Sequence, residues 1–257
     1  MRTILALTAL LAVSGPSVGA QRHETGPIEI PIRVQGGRLI VQVAAPDGST
    51  ANFVLTTANT VTLLSETGAE RFAQRGGLTM GGVKVSLEGH STIPDESLII
   101  DGIAMDGMVS SNTLNQFDVL IDVPQRRMLL RDVGPSVDWG DIPLSEPIGL
   151  RVYHGMILSF EVSLNGQEYG ATLDVGTPDI VVNEPVGAKS KIDAEGYATL
   201  ALGGGTFPDL PVRVRDLEIL KRFDPNGNGF VVVGAALASD CVISISWVHQ
   251  EMRTCVQ

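Results

Sequence analysis

The sequence predicts an all-β protein whose two halves repeat one pattern. Apolar and polar residues alternate through β-branched stretches, with turn signals recurring roughly every ten positions. Helical period is scarce, and 66–74 and 235–239 are the modest candidates. Blocks of the first half also return in the second at nearly fixed offsets. With 257 residues, 44% hydrophobic and 18% charged, the chain can bury a real core, which excludes disordered, collagen-like and coiled-coil classes.

The elements follow in order. Arg2, the apolar stretch 4–13, the break at Ser14-Gly15-Pro16 and the small residues Val18-Gly19-Ala20 form a signal-peptide pattern over 1–20, followed by a tail at 21–26. Export to a periplasmic or extracellular location is therefore expected. Next come Leu39, Val41 and Val43, a hairpin signal at Asp47-Gly48, the segment FVLTTANT at 53–60 and an apolar strand at 61–64. The second half answers with Leu158, Phe160 and Val162, a hairpin signal at Asn165-Gly166, ATLDVGTP at 171–178 and a strand at Ile180–Val182. The offset between these blocks is 118.

The correspondence resumes at an offset of 124. Met108-Val109-Ser110 matches Val232-Val233-Gly234, and Phe117, Val119 and Ile121 match Cys241, Ile243 and Ile245. An insertion of about six residues between the matched blocks is ordinary loop variation. The Pro/Gly-rich stretch 133–147 reads as a connector between a first lobe at 27–132 and a second at 148–257. Two similar lobes imply a pseudo-twofold axis with a cleft on it, where ligands bind.

Charge and motif content narrow the function. A net charge of −11 opposes a nucleic-acid partner, since phosphate binding needs clustered Lys and Arg. No run approaches the roughly 20 apolar residues of a membrane-spanning helix. Export implies an oxidising compartment, in which Cys241 and Cys255 are expected to pair, with free buried thiols as the alternative; two thiolates alone do not close a zinc shell. The sequence at 224–229, Asp-Pro-Asn-Gly-Asn-Gly, resembles half a calcium loop. Ala235 stands where the bidentate Glu belongs, so it reads as a turn. His23, His90, His154 and His249 share no ligand spacing, and no metal or other cofactor is expected.

An apolar strand, then Asp-Thr-Gly, then a second apolar strand is the signature loop of aspartic proteases. Each lobe of that family later adds a hydrophobic-hydrophobic-Gly strand. ATLDVGTPDIVV, carrying Asp174-Val175-Gly176-Thr177, and GFVVVGAAL, carrying Val232-Val233-Gly234, resemble these two parts. ALGGGTFPDLPVRV at 201–214 and DGMVSSNTLNQFDVLIDVPQRRMLL at 106–130 are similar to the Gly-tipped hairpin and closing segment of bacterial retropepsin-like domains. The resemblance covers most of 27–257. It implies a bilobal pepsin-like fold, with two retropepsin-like β-barrel lobes around a central cleft that takes an extended polypeptide, in a monomer.

It also implies a catalytic centre, and there the pattern breaks. The family uses one carboxylate per lobe: one takes a proton from water while the other, protonated, polarises the scissile carbonyl. Asp174 fits one position, but its equivalent is Thr56, which has no carboxylate. Ala58 replaces Gly, Ser110 stands where Gly234 stands in the second lobe, and Val175 replaces a bridging Thr that Thr57 retains. The expected cleft lining is Thr56, Thr57, Ala58, Asp174, Val175, Gly176 and Thr177. The departures cluster on the catalytic apparatus and spare the β framework, which reads as an exported pseudo-protease. Two other readings stay open: an acid-favouring endopeptidase using Asp174, and a purely structural protein.

Overall fold

The computed structural model describes residues 26–45, 47–72, 78–153, 157–215 and 229–256. The stretch 1–20, most of the tail 21–26, His154 and most of the turn at 224–229 lie outside the described residues. Strand dominates, and the sequence alternation appears as alternating burial. In Ile28–Gln35, Ile30 and Ile32 are buried while their neighbours face out. Pro31 stands where this strand changes partner, from Arg127–Asp132 to Arg38–Ala44, a point that tolerates a missing N–H.

Each lobe is organised around one hairpin and a strand threaded beside it. In the N-terminal lobe, Arg38–Ala44 and Thr50–Leu55 flank the Asp47-Gly48 turn, where the Asp47 carboxylate accepts from the Ser49 amide at 2.9 Å. In the C-terminal lobe, Ile157–Leu164 and Gln167–Leu173 join through Asn165-Gly166, both at positive φ (50° and 77°), the tight form that matches strand twist. Gly107–Val109 then runs parallel to Thr50–Leu55, with Val109 opposite Leu55, and antiparallel to Leu63–Ser65. Phe230–Val233 does the same beside Gln167–Leu173, with Val233 opposite Leu173, and antiparallel to Ile180–Val182. Leu55 to Leu173 is 118 positions and Val109 to Val233 is 124. The offsets read from sequence therefore join residues with the same place in the fold.

The repeat is more extensive than those blocks. Gly81 packs on Ile30 and Gly203 on Ile148, each glycine opening a Gly-Gly turn, and Ile30 pairs with Met128 as Ile148 pairs with Met252. LTMGGVKV at 78–85 thus answers LALGGGTF at 200–207, at an offset of 122. Where the lobes meet, Phe117–Asp122 pairs antiparallel with Ile243–Ser246, and Leu120 lies opposite Ser244, its own repeat equivalent at 124. The pseudo-twofold passes between those two residues. Arg127–Asp132 and Ile28–Gln35 extend this interlobe sheet on one side, and Glu251–Thr254 and Ile148–Gly149 on the other. The C-terminal lobe closes as a six-stranded barrel, Glu195–Leu202 pairing back to Ile157–Leu164.

Helix is confined to short pieces. Glu66–Phe72 and the 3-10 turn Ala235–Ala238 occupy the two expected places. Glu184–Ser190 and Ser111–Leu114 are additional helices, so the expectation of two helical segments falls short. Glu184–Ser190 holds Pro185, Gly187 and Ser190 in two turns, too brief and too poor in propensity to show a period. Its signals were Asn183 before a first-turn Pro, and its place 118 residues after Glu66. Cys241 and Cys255 form a disulfide, with Cα atoms 5.2 Å apart, that ties the last strand to the core. Among the described residues no helix is long and apolar enough to cross a membrane.

Candidate functional site

Thr50–Leu55 and Gln167–Leu173 both end at the pseudo-twofold, and the first residue beyond each strand is held alike. The Thr56 amide donates to the Val109 carbonyl at 2.9 Å, and the Asp174 amide donates to the Val233 carbonyl at 2.9 Å. The two loops thus face one another, and their side chains meet directly. Thr56 Oγ1 donates to Asp174 Oδ1 at 2.7 Å. Ala58 N–H points at Thr56 Oγ1 at 3.4 Å, as Gly176 N–H donates to Asp174 Oδ1 at 3.0 Å. Thr177 Oγ1 donates to Asp174 Oδ2 at 2.9 Å. Asp174 is half-buried, whereas Thr56 and Thr57 are fully buried.

The bridge beneath this contact runs one way. Thr57 Oγ1 donates to the Leu173 carbonyl at 2.7 Å and accepts from the Val175 amide at 3.3 Å. Symmetry would have residue 175 return both bonds, but Val175 has no hydroxyl and is simply packed. Thr57→Val is expected to cost about 2 kcal/mol, since it strands a buried amide and weakens a carbonyl's pairing. Thr57→Ser should retain most of that stability. Urea midpoints of the two variants check this, and equal midpoints would mean that the hydroxyl bridge contributes nothing.

The loops are also pressed together. A Cβ at Gly176 would lie 2.9 Å from Thr56 Cβ and 3.1 Å from the Leu55 carbonyl, so residue 176 must lack one. At the rim, the Gly36-Gly37 turn of the N-terminal lobe packs on Pro178, beside Thr177. Sequence reasoning missed this contact, for which the Gly-Gly pair between two strand patterns was the available signal.

Other acids near these loops in sequence are engaged elsewhere. Asp179 forms an ion pair with Arg213, which also reaches Glu195 at 3.4 Å. The Asp179 hydrogen bond and charge hold the Arg213 guanidinium above its usual pKa. Asp47 caps its own turn, and Glu66 opens a helix. Among the described residues, the hydrogen-bond partners of the Asp174 carboxylate are two hydroxyls and one amide.

No protein-family model matches the sequence, and no curated protein sequence matches it either. Among solved structures, the chain is similar to the aspartic proteinase from Irpex lacteus. The TM-score is 0.55 at 11% identity, covering 90% of this chain and 98% of that one. The chain has an all-β, bilobal pepsin-like fold. At that identity the likeness concerns architecture, and the chemistry rests on the residues at the loops.

Proposed function

We propose that this chain is an exported pseudo-protease: an aspartic-protease-like protein, with lobes at 27–132 and 148–257, that binds extended polypeptide in its cleft without cutting it efficiently. One observation carries the reading. At the pseudo-twofold, where the mechanism needs two carboxylates sharing a proton, a threonine hydroxyl donates to a single carboxylate. The Thr56 proton is committed to Asp174, and its oxygen faces the Ala58 amide, so neither base nor acid remains on that side. Losing one positioned acid or base typically costs ~10²–10⁴ in rate. A cleft between the two lobes suits an extended chain, whose backbone pairs with strands while alternate side chains enter pockets. The signal-peptide pattern supports export, and the disulfide suits an oxidising compartment.

The test is incubation of the purified protein with an unfolded substrate from about pH 3 to 7. No fragments are expected. Robust cleavage abolished by Asp174→Asn would replace this reading with that of a working endopeptidase. The double variant Thr56→Asp with Ala58→Gly restores the missing acid and is expected to gain acid-favoured cleavage. Two carboxyls in hydrogen-bond contact cannot both ionise, so one folded-state pKa rises above the unfolded value. The stability that the added acid leaves intact at low pH is then lost as pH rises through that raised value. The variant should therefore fall behind its parent in thermal stability at pH 7 and approach it near pH 4.

A further inference from the structure

We infer that Asp174 is a recognition subsite for a cation: the cleft centre binds the ammonium or guanidinium group of a Lys or Arg side chain in the bound polypeptide. This rests on the proposed reading of the cleft and names the ligand chemistry that the centre selects.

The argument is one of hydrogen-bond polarity. A carboxylate offers about four acceptor sites on two oxygens. Oδ1 takes Thr56 Oγ1 at 2.7 Å and the Gly176 amide at 3.0 Å, and Oδ2 takes Thr177 Oγ1 at 2.9 Å. The direction at Thr56 is fixed, because the Ala58 amide points at the hydroxyl oxygen and leaves its one proton for Asp174. One acceptor site remains, on Oδ2, the oxygen not engaged by the buried Thr56. Among the described residues no Lys, Arg or His pairs with this carboxylate.

A two-acid centre presents a proton to a substrate carbonyl. This centre presents only a lone pair and an uncompensated negative charge, so a peptide carbonyl is repelled there and a donor is attracted. Charged donors outrank neutral ones, since a charge-assisted hydrogen bond is about twice as strong. The surrounding charges are near balance, Asp179 being paired with Arg213 and the facing turn carrying both an acid and a base. Asp101 lies beside Gly36, whose turn packs through Gly37 on Pro178. Arg38, the cation of that turn, faces the Gly36 carbonyl at 3.5 Å. The whole chain, at −11, attracts cations.

Calorimetry on the full chain with four extended peptides identical except for one central residue (Lys, acetyl-lysine, norleucine or Glu) tests this. The Lys peptide is expected to bind at least about tenfold more tightly than the norleucine and acetyl-lysine peptides, which isolates the charge from the stem. Glu should bind worst, and the Lys advantage should shrink as salt rises. Asp174→Asn should abolish the Lys advantage over norleucine. Equal affinity for Lys and norleucine in the unmodified protein overturns the cation subsite and leaves the peptide-binding cleft standing. A Lys advantage that survives Asp174→Asn overturns it too, by placing the cation elsewhere. Silence from all four peptides overturns the cleft reading itself, and the subsite with it.

Discussion

Gly234→Ser is expected to cost about 4 kcal/mol. A Cβ built there falls 2.1 Å from the Asp179 carbonyl and 2.6 Å from the Thr177 carbonyl. Both are backbone atoms in the loop that carries Asp174. The loop is fixed in turn by hydrogen bonds from Ala235 N to the Thr177 carbonyl at 2.7 Å and from Ala236 N to the Pro178 carbonyl at 2.9 Å. The three nearest atoms among the described residues are all backbone, so the loop itself must move. The first lobe shows that the clash is local, because Ser110 occupies the equivalent place fully buried. There Ser110 Oγ donates to Asn112 at 2.8 Å, and the Ser111 amide reaches the Asn59 carbonyl at 3.1 Å, a longer contact than its counterpart. Ser110→Gly should accordingly change stability by less than about 1 kcal/mol. Denaturant midpoints of the pair give the contrast. A Gly234→Ser protein as stable as its parent would show that the second lobe has the same room as the first.

That contrast indicates which parts of the molecule its sequence specifies openly. The hairpins could be read because Asp47-Gly48 and Asn165-Gly166 are local signals and the flanking alternation is a local period. The repeat could be read wherever side chains fill the same role in both lobes, as Leu55 and Leu173 do. It was missed at 78–85 and 200–207, where only the Gly-Gly turn and its apolar flanks persist and the offset shifts to 122. Glu184–Ser190 was missed because two helical turns stabilised by tertiary contacts carry almost no period. At the site, residue types announced the missing acid, since a threonine cannot be a carboxylate. The direction of its proton was not available from types. That depends on the Ala58 amide meeting Thr56 Oγ1, a contact between backbone and side chain that only the folded loop defines. The Gly36-Gly37 contact with Pro178 joins residues more than 140 positions apart, so the Gly-Gly pair marks a tight turn without naming what packs on it.

Asp118→Val is expected to stabilise the protein by about 3 kcal/mol, against the usual direction of core substitutions. Asp118 lies on the interlobe sheet two residues from the pseudo-twofold, fully buried, and among the described residues neither carboxylate oxygen meets a donor. Its cross-strand neighbours are Ser246 on one side and Arg131 on the other. Neither serves it. Ser246 Oγ accepts from the His249 amide at 3.2 Å, and the Arg131 guanidinium lies over the Trp139 ring, 5.1 Å from its centroid. Trp139 is held over the sheet by its indole N–H, which donates to Ser244 Oγ at 2.7 Å. The carboxyl is thus removed from water with nothing in exchange, and a buried polar group left so costs several kcal/mol whether or not it carries a proton. The repeat supplies the replacement, since the residue 124 positions on is Val242 and valine suits a half-pleated, packed strand. Asp118→Asn is the control: it removes the charge but keeps polar atoms that need partners, so its gain should be well below that of valine. Urea midpoints and melting temperatures of the two variants settle the order. If valine instead lowers stability, Arg131 must leave Trp139 to pair with Asp118 in solution, and the interlobe sheet is held together by that ion pair.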